Sequence, residues 1–107
     1  MYRVIFKHQV KEGQGTAFMH QWQKGSDVIQ SYPGALGTKL FRGLNEPGYL
    51  YAMADWESKN ARDTAIESIQ TRSDAQQVLH GHEEYVDSHT VFGTFELIAE
   101  SHQPTRL

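Results

Sequence analysis

The 107-residue chain carries 10 Lys and Arg against 13 Asp and Glu, a formal net charge of −3, and no cysteine. That length suits one domain, burying about two thirds of its unfolded surface. The charge balance leaves no basic cluster to release phosphate counterions, which argues against nucleic acid as a partner. The missing thiols exclude disulfides, thiolate nucleophiles and cysteine-based zinc sites. No apolar run approaches the roughly 20 residues that a bilayer requires, so a soluble, unprocessed, cytoplasmic protein without a membrane partner is expected.

In chain order, Tyr2 to Val10 alternates Tyr2, Val4, Phe6, His8 and Val10 against Arg3, Ile5, Lys7 and Gln9, a period of two that predicts a strand. Glu12-Gly-Gln-Gly15 ends it; with no lysine at the P-loop spacing and no dinucleotide fingerprint, this is not a phosphate loop. From Thr16 the period becomes helical, with Phe18, Trp22, Gly25, Ile29 and Tyr32 forming one stripe, and Gly25 on it lets a neighbour approach closely. Pro33-Gly34 stops that helix.

Leu36 to Leu44 and Tyr49 to Trp56 read as two strands of a hairpin across Asn45-Glu-Pro-Gly48, where proline pre-sets φ and glycine accepts the positive φ of a type II turn. Ser58 is placed to cap a second helix carrying Ala61, Ala65 and Ile69. Ser73 and Gln76 resemble a capping box, from which helix is expected to run with Ala75, Leu79, His82 and Val86 on one side, weakened at Gly81. Thr90 to Ala99 closes the series as a strand that alternates Val91, Phe95 and Leu97 with Phe92 and Ile98, before a frayed polar tail. Residues 1–100 are thus expected to form the domain and 101–107 the tail.

Strand, helix, strand, strand, helix, strand is the ferredoxin-like α+β order, with both helices on one face of a four-stranded antiparallel sheet. A sheet wet on its other face should alternate cleanly. These strands instead carry apolar residues on both parities, for example Leu40 against Phe41 and Met53 against Trp56. An adhesive face of that kind is most simply covered by a second copy, so a homodimer with sheets packed face to face is expected.

Tyr32-Pro-Gly-Ala-Leu-Gly37, Leu40-Phe-Arg42 and above all Asp55-Trp-Glu-Ser-Lys-Asn-Ala61 give the chain its likeness to a known family. The chain resembles the antibiotic biosynthesis monooxygenase family of dimeric α+β barrels, whose members often show W-x-S-x-x-A at the start of the second helix. The resemblance implies oxidation of an aromatic or quinol-like molecule by dioxygen in an apolar cavity, without flavin or metal. It places Trp56 in that cavity, puts Ala52 where cofactor-free members carry an asparagine, and puts Arg62 where they carry a tyrosine. A haem-degrading branch offers a second reading, with His80 matching the axial ligand, followed by His82, while Ala65 and His8 stand where that branch has tryptophan and asparagine. A non-catalytic dimeric barrel that binds a small hydrophobic molecule is a third.

Among six histidines, each able to act as a base near neutrality, His8 shares the face of Val4 and Phe6 and is the first candidate, with His80 next. His20, His89 and His102 read as surface. On an unbroken helix His80 and His82 diverge by about 200°, so no shared metal is expected there. The expected site is therefore His8, Trp56 and His80 as catalytic residues, with Phe6, Phe41, Ala52 and Arg62 contacting substrate, and neither metal nor cofactor.

Overall fold

A computed structural model describes residues 1–104, so positions 105–107 of the expected tail lie outside the described residues. The elements are β1 (Tyr2–Val10), α1 (Gly15–Gln30), β2 (Ala35–Arg42), β3 (Tyr49–Trp56), α2 (Lys59–Gln70), α3 (Ser73–His80) and β4 (Val86–Glu96), with a 3₁₀ segment, Gly81–Tyr85, before β4. The strands form one antiparallel sheet in the order β2-β3-β1-β4, the ferredoxin-like arrangement.

The hairpin forms as its residues dictate. Tyr49 N–H donates to the Glu46 carbonyl at 3.2 Å across Pro47 and Gly48, and Gly48 takes φ +89°. Ser58 caps α2 by accepting from Ala61 N–H at 3.0 Å. Gly25 is buried, and a methyl group there would touch Leu79 at 3.4 Å, which sets how closely α1 and α3 approach.

The Pro-Gly and Trp-Glu-Ser segments meet in space. Gly34 sits at φ +85°, its carbonyl accepts from Glu57 N–H at 2.8 Å, and a methyl group on it would lie 2.7 Å from Ala61 Cβ. Positive φ and this contact both select glycine.

Two expectations fail in the last third of the chain. No capping box forms at Ser73: Arg72 occupies the cap position without a side-chain bond, and Gln76 Nε2 instead donates to the Gln70 carbonyl at 2.7 Å. The helix also does not continue to Val86. It tightens at Gly81 into the 3₁₀ segment, and Val86 already pairs with Val10 as the first residue of β4. β4 therefore begins four residues before the expected Thr90 and ends at Glu96.

β4 also departs from simple alternation. Ile5 pairs with Gly93 but Phe6 pairs with Val91, so Phe92 is an inserted residue, a β-bulge. Because partners across an antiparallel pair share a face, the bulge puts Val91 and His89 on the helix side with Phe6 and His8, and leaves Phe92 and Phe95 on the opposite side. There the Phe92 ring packs edge-on to Tyr51 at 5.7 Å. This open side also carries Phe41 and two ion pairs: Arg3 doubly bonded to Asp55 at 2.7 and 2.9 Å, and Lys7 with Glu46 at 2.7 Å.

Gly34→Ala should lower stability by about 2 kcal/mol through backbone strain and the clash with Ala61. Urea unfolding read by circular dichroism checks this; an unchanged midpoint would mean that the β2–α2 joint relaxes freely.

Candidate functional site

The helix-facing side of β3 carries Leu50, Ala52, Ala54 and Trp56, paired across β1 with His8, Phe6, Val4 and Tyr2. Leu50 packs with Phe18 and Val86 in the core. Ala52 and Ala54 are too short to reach the helices. Above them lies a cavity of about 240 Å³, walled mainly by apolar groups from α1, α2, α3 and the sheet, including Phe6, Phe18, Trp22, Ile29, Ile66 and Leu79.

One end of this space is polar. His8, His80, His82, His89 and Glu83 all line it. The His8 ring lies 5.2 Å from His82 and 5.8 Å from His89, and those two are 5.8 Å apart. Phe18, fully buried, supports the group at 5.1 Å from His8. Although three imidazoles gather, no group of three His, Cys, Asp or Glu among the described residues is disposed to hold a metal ion.

The three rings have different chemistry. His8 is 5% exposed on a central strand. Burial, reinforced by the charges His82 and His89 would carry, lowers its pKa from 6.5 to about 4. It is neutral at pH 7, and its Nδ1 is buried without a hydrogen-bond partner. The His82 Nδ1 lies 2.7 Å from the Leu79 carbonyl. A carbonyl only accepts, so this nitrogen carries the proton and Nε2 is left as a bare lone pair. That Nε2 is also buried and unpartnered. Burial lowers the His82 pKa, against the opposing pull of the Leu79 carbonyl and the Glu83 carboxylate. Each unsatisfied buried polar atom costs the fold about 1–3 kcal/mol, an expense that tends to persist at functional positions.

His80 stands at the rim. Its side chain is 65% exposed and its Nδ1 is 2.9 Å from Glu83 Oε1, a bond that lowers the Glu83 pKa.

Of the residues expected at the site, the structure brings Phe6, His8, Ala52 and His80 to the cavity. It does not bring three others. Trp56 is 2% exposed at the end of β3, directly before α2, and is outside the cavity lining. Phe41 pairs with Tyr51 on the opposite face of the sheet and is 51% exposed. Arg62 lies in the first turn of α2, where its Nη1 bonds Asp63 at 3.1 Å. The tryptophan that does line the cavity is Trp22. His20 and His102 are exposed as expected, and His89 is exposed yet packs against the buried rings.

A sequence model of the family described as antibiotic biosynthesis monooxygenase matches residues 1–79. The chain belongs to that family. Among solved structures it is similar to SnoaB, a cofactor-independent oxygenase from Streptomyces nogalater, at 15% identity over 97% of both chains with a TM-score of 0.70. It is similar to a putative antibiotic biosynthesis monooxygenase from Bordetella bronchiseptica at 16% identity, covering 92% of this chain and 97% of that one, TM-score 0.75. A conserved protein from Methanosarcina mazei Go1 shares 18% identity over 88% and 89% of the two chains, TM-score 0.71. No curated protein matches the chain. At these identities the structural matches establish a common fold. Among the described residues no helix is long and apolar enough to cross a membrane.

The buried His8 couples stability to pH. Its folded pKa of about 4 lies below the unfolded 6.5, so the unfolded chain binds the extra proton in that interval. Stability should therefore be fully present above pH 6.5 and fall by about 2–3 kcal/mol as pH drops to 4. Denaturant midpoints across this range, compared with His8→Leu, measure the effect: the variant should lose that portion of the slope.

Proposed function

We propose that this protein is a cofactor-free oxygenase, acting as a soluble cytoplasmic homodimer on an aromatic or quinol-like small molecule with dioxygen as oxidant. Membership of the monooxygenase family supports the reaction class. The observation that carries the reading is an apolar cavity with unpartnered, neutral imidazole nitrogens at one end. An aromatic body fits against Phe6, Trp22 and Ile29. Its hydroxyl points to His8 and its neighbours, which move the proton and hold the charge left on oxygen. Deprotonation makes such a ring electron-rich enough to pass an electron to dioxygen, and apolar walls keep water from the reactive intermediate.

A second copy is proposed to cover the open side of the sheet. Phe41, Phe92 and Phe95 are 51%, 57% and 44% exposed there, and Arg3–Asp55 and Lys7–Glu46 present paired rather than lone charges beside them. Haem fits this site poorly. The candidate ligand His80 is at the rim and engaged with Glu83, and Ala65, where that branch has its tryptophan, is buried outside the cavity lining.

Oxygen-electrode measurements with anthrones and substituted hydroquinones should show uptake well above autoxidation for at least one compound. Background rates throughout would leave the non-catalytic binding barrel in its place. Haemin added to the protein should give no shifted Soret band in wild type or His80→Ala. Sedimentation at micromolar concentration should give twice the 12.2 kDa chain mass, reverting to a single chain on combining Phe92→Lys with Phe95→Lys; a wild-type monomer would remove the face-to-face assembly.

A further inference from the structure

The His8 and His82 rings meet nearly perpendicular, at 85° and 5.2 Å, each carries a buried, unpartnered nitrogen, Nδ1 and Nε2 respectively, and both residues line the same cavity. The state of His82 is fixed by the backbone: Nδ1–H donates to the Leu79 carbonyl, so Nε2 can only accept. This bond depends on the break in the helix. Leu79 and His80 end α3, and His82 in the 3₁₀ segment turns back onto the last turn and into the cavity. A single hydroxyl is the smallest group that answers both nitrogens, donating its hydrogen to one and accepting at oxygen from the other.

We propose that His82 is the proton acceptor of this cavity, and that His82 Nε2 and His8 Nδ1 together seat one acidic hydroxyl, enolic or phenolic, of an otherwise apolar aromatic ligand. This rests on the oxygenase reading for the aromatic character of the ligand and adds the residue and the atom that receive its proton. In the step itself the ligand O–H bond breaks, the electron pair stays on oxygen, and the proton joins His82 Nε2. The products are an enolate or phenolate and an imidazolium, with no oxidant consumed.

The groups around His82 suit this exchange. His8 on β1 and His89 on β4 are the imidazoles beside it, and His80 and Glu83 flank it on its own segment. The Glu83 carboxylate is the one anion among them and offsets the imidazolium once it forms. His8 on the central strand stays neutral and serves as the hydrogen-bond donor to the oxyanion.

The test is anaerobic. 9-Anthrol, the enol tautomer of anthrone, mixed with the protein without oxygen, at a pH where the free compound is neutral, should show the enolate absorption, with at least a tenfold larger enolate fraction than in buffer. His82→Gln, which keeps a polar side chain but no base, should abolish that excess. In wild type, ¹⁵N NMR of the His82 ring should move from the Nδ1–H tautomer to the doubly protonated form on binding, a readout independent of any variant's folding. An unchanged His82 tautomer in the complex, equal enolate in His82→Gln, or no binding at all, which would mean a resident water only, overturns the proposal. Admitting oxygen afterwards separates it from the oxygenase reading. Enolate without oxygen uptake sinks that reading and keeps His82, whereas equal uptake by wild type and His82→Gln does the reverse.

Discussion

Short side chains on β3 govern everything else in this molecule. Ala52 and Ala54 face two helices that are held off by Trp22, Ile29 and Ile66, so the sheet and helices cannot close on each other there. Protein interiors are normally packed to crystal-like density, and a gap walled by apolar groups forfeits contact energy on every side. The chain tolerates it because Phe18, Leu50 and Val86 make a tight core beside it, while Trp56 fills the junction at the other end of β3. The cavity is therefore framed by rigid packing on two sides.

The polar end of that cavity depends on two irregularities in the backbone. The bulge at Phe92 reverses the parity of β4 and carries His89 from the open side of the sheet to the helix side. The change from α-helix to 3₁₀ at Gly81 turns His82 back toward the Leu79 carbonyl. Without the first, His89 would share the face of Phe95; without the second, His82 would follow the helical path away from His80. A regular strand and a regular helix would have left His8 with no imidazole neighbours.

This explains what was legible in the sequence. The element order, the hairpin turn at Pro47-Gly48, the Ser58 cap and the facing of Phe6 and His8 follow from local rules of periodicity and turn chemistry, and all appear in the structure. Apolar residues on both strand parities were equally plain, because Phe41, Phe92 and Phe95 are exposed on the open side. Irregularities were not legible. A bulge adds a residue without changing composition, so strict alternation grouped Val91 with Phe95 when they lie on opposite faces. Trp22 lies on the helical stripe that its spacing predicts, but nothing local distinguishes a residue that fills the core from one that borders an unfilled space. The family pattern implies a cavity tryptophan at Trp56, whereas Trp56 is buried at the end of β3 and is absent from the cavity lining.

The joint between Gly34 and Ala61 has a wider meaning. The stretch that makes this chain recognisable, from Tyr32-Pro-Gly to Trp-Glu-Ser-Lys-Asn-Ala61, meets itself across the β2–α2 junction as a steric fit of Gly34 on Ala61, flanked by the Glu57 side chain. The family match ends at residue 79, and His80, His82 and His89 all follow it. The family match thus contains this mechanical fastening, whereas three of the four histidines that line the cavity lie in the segment beyond it.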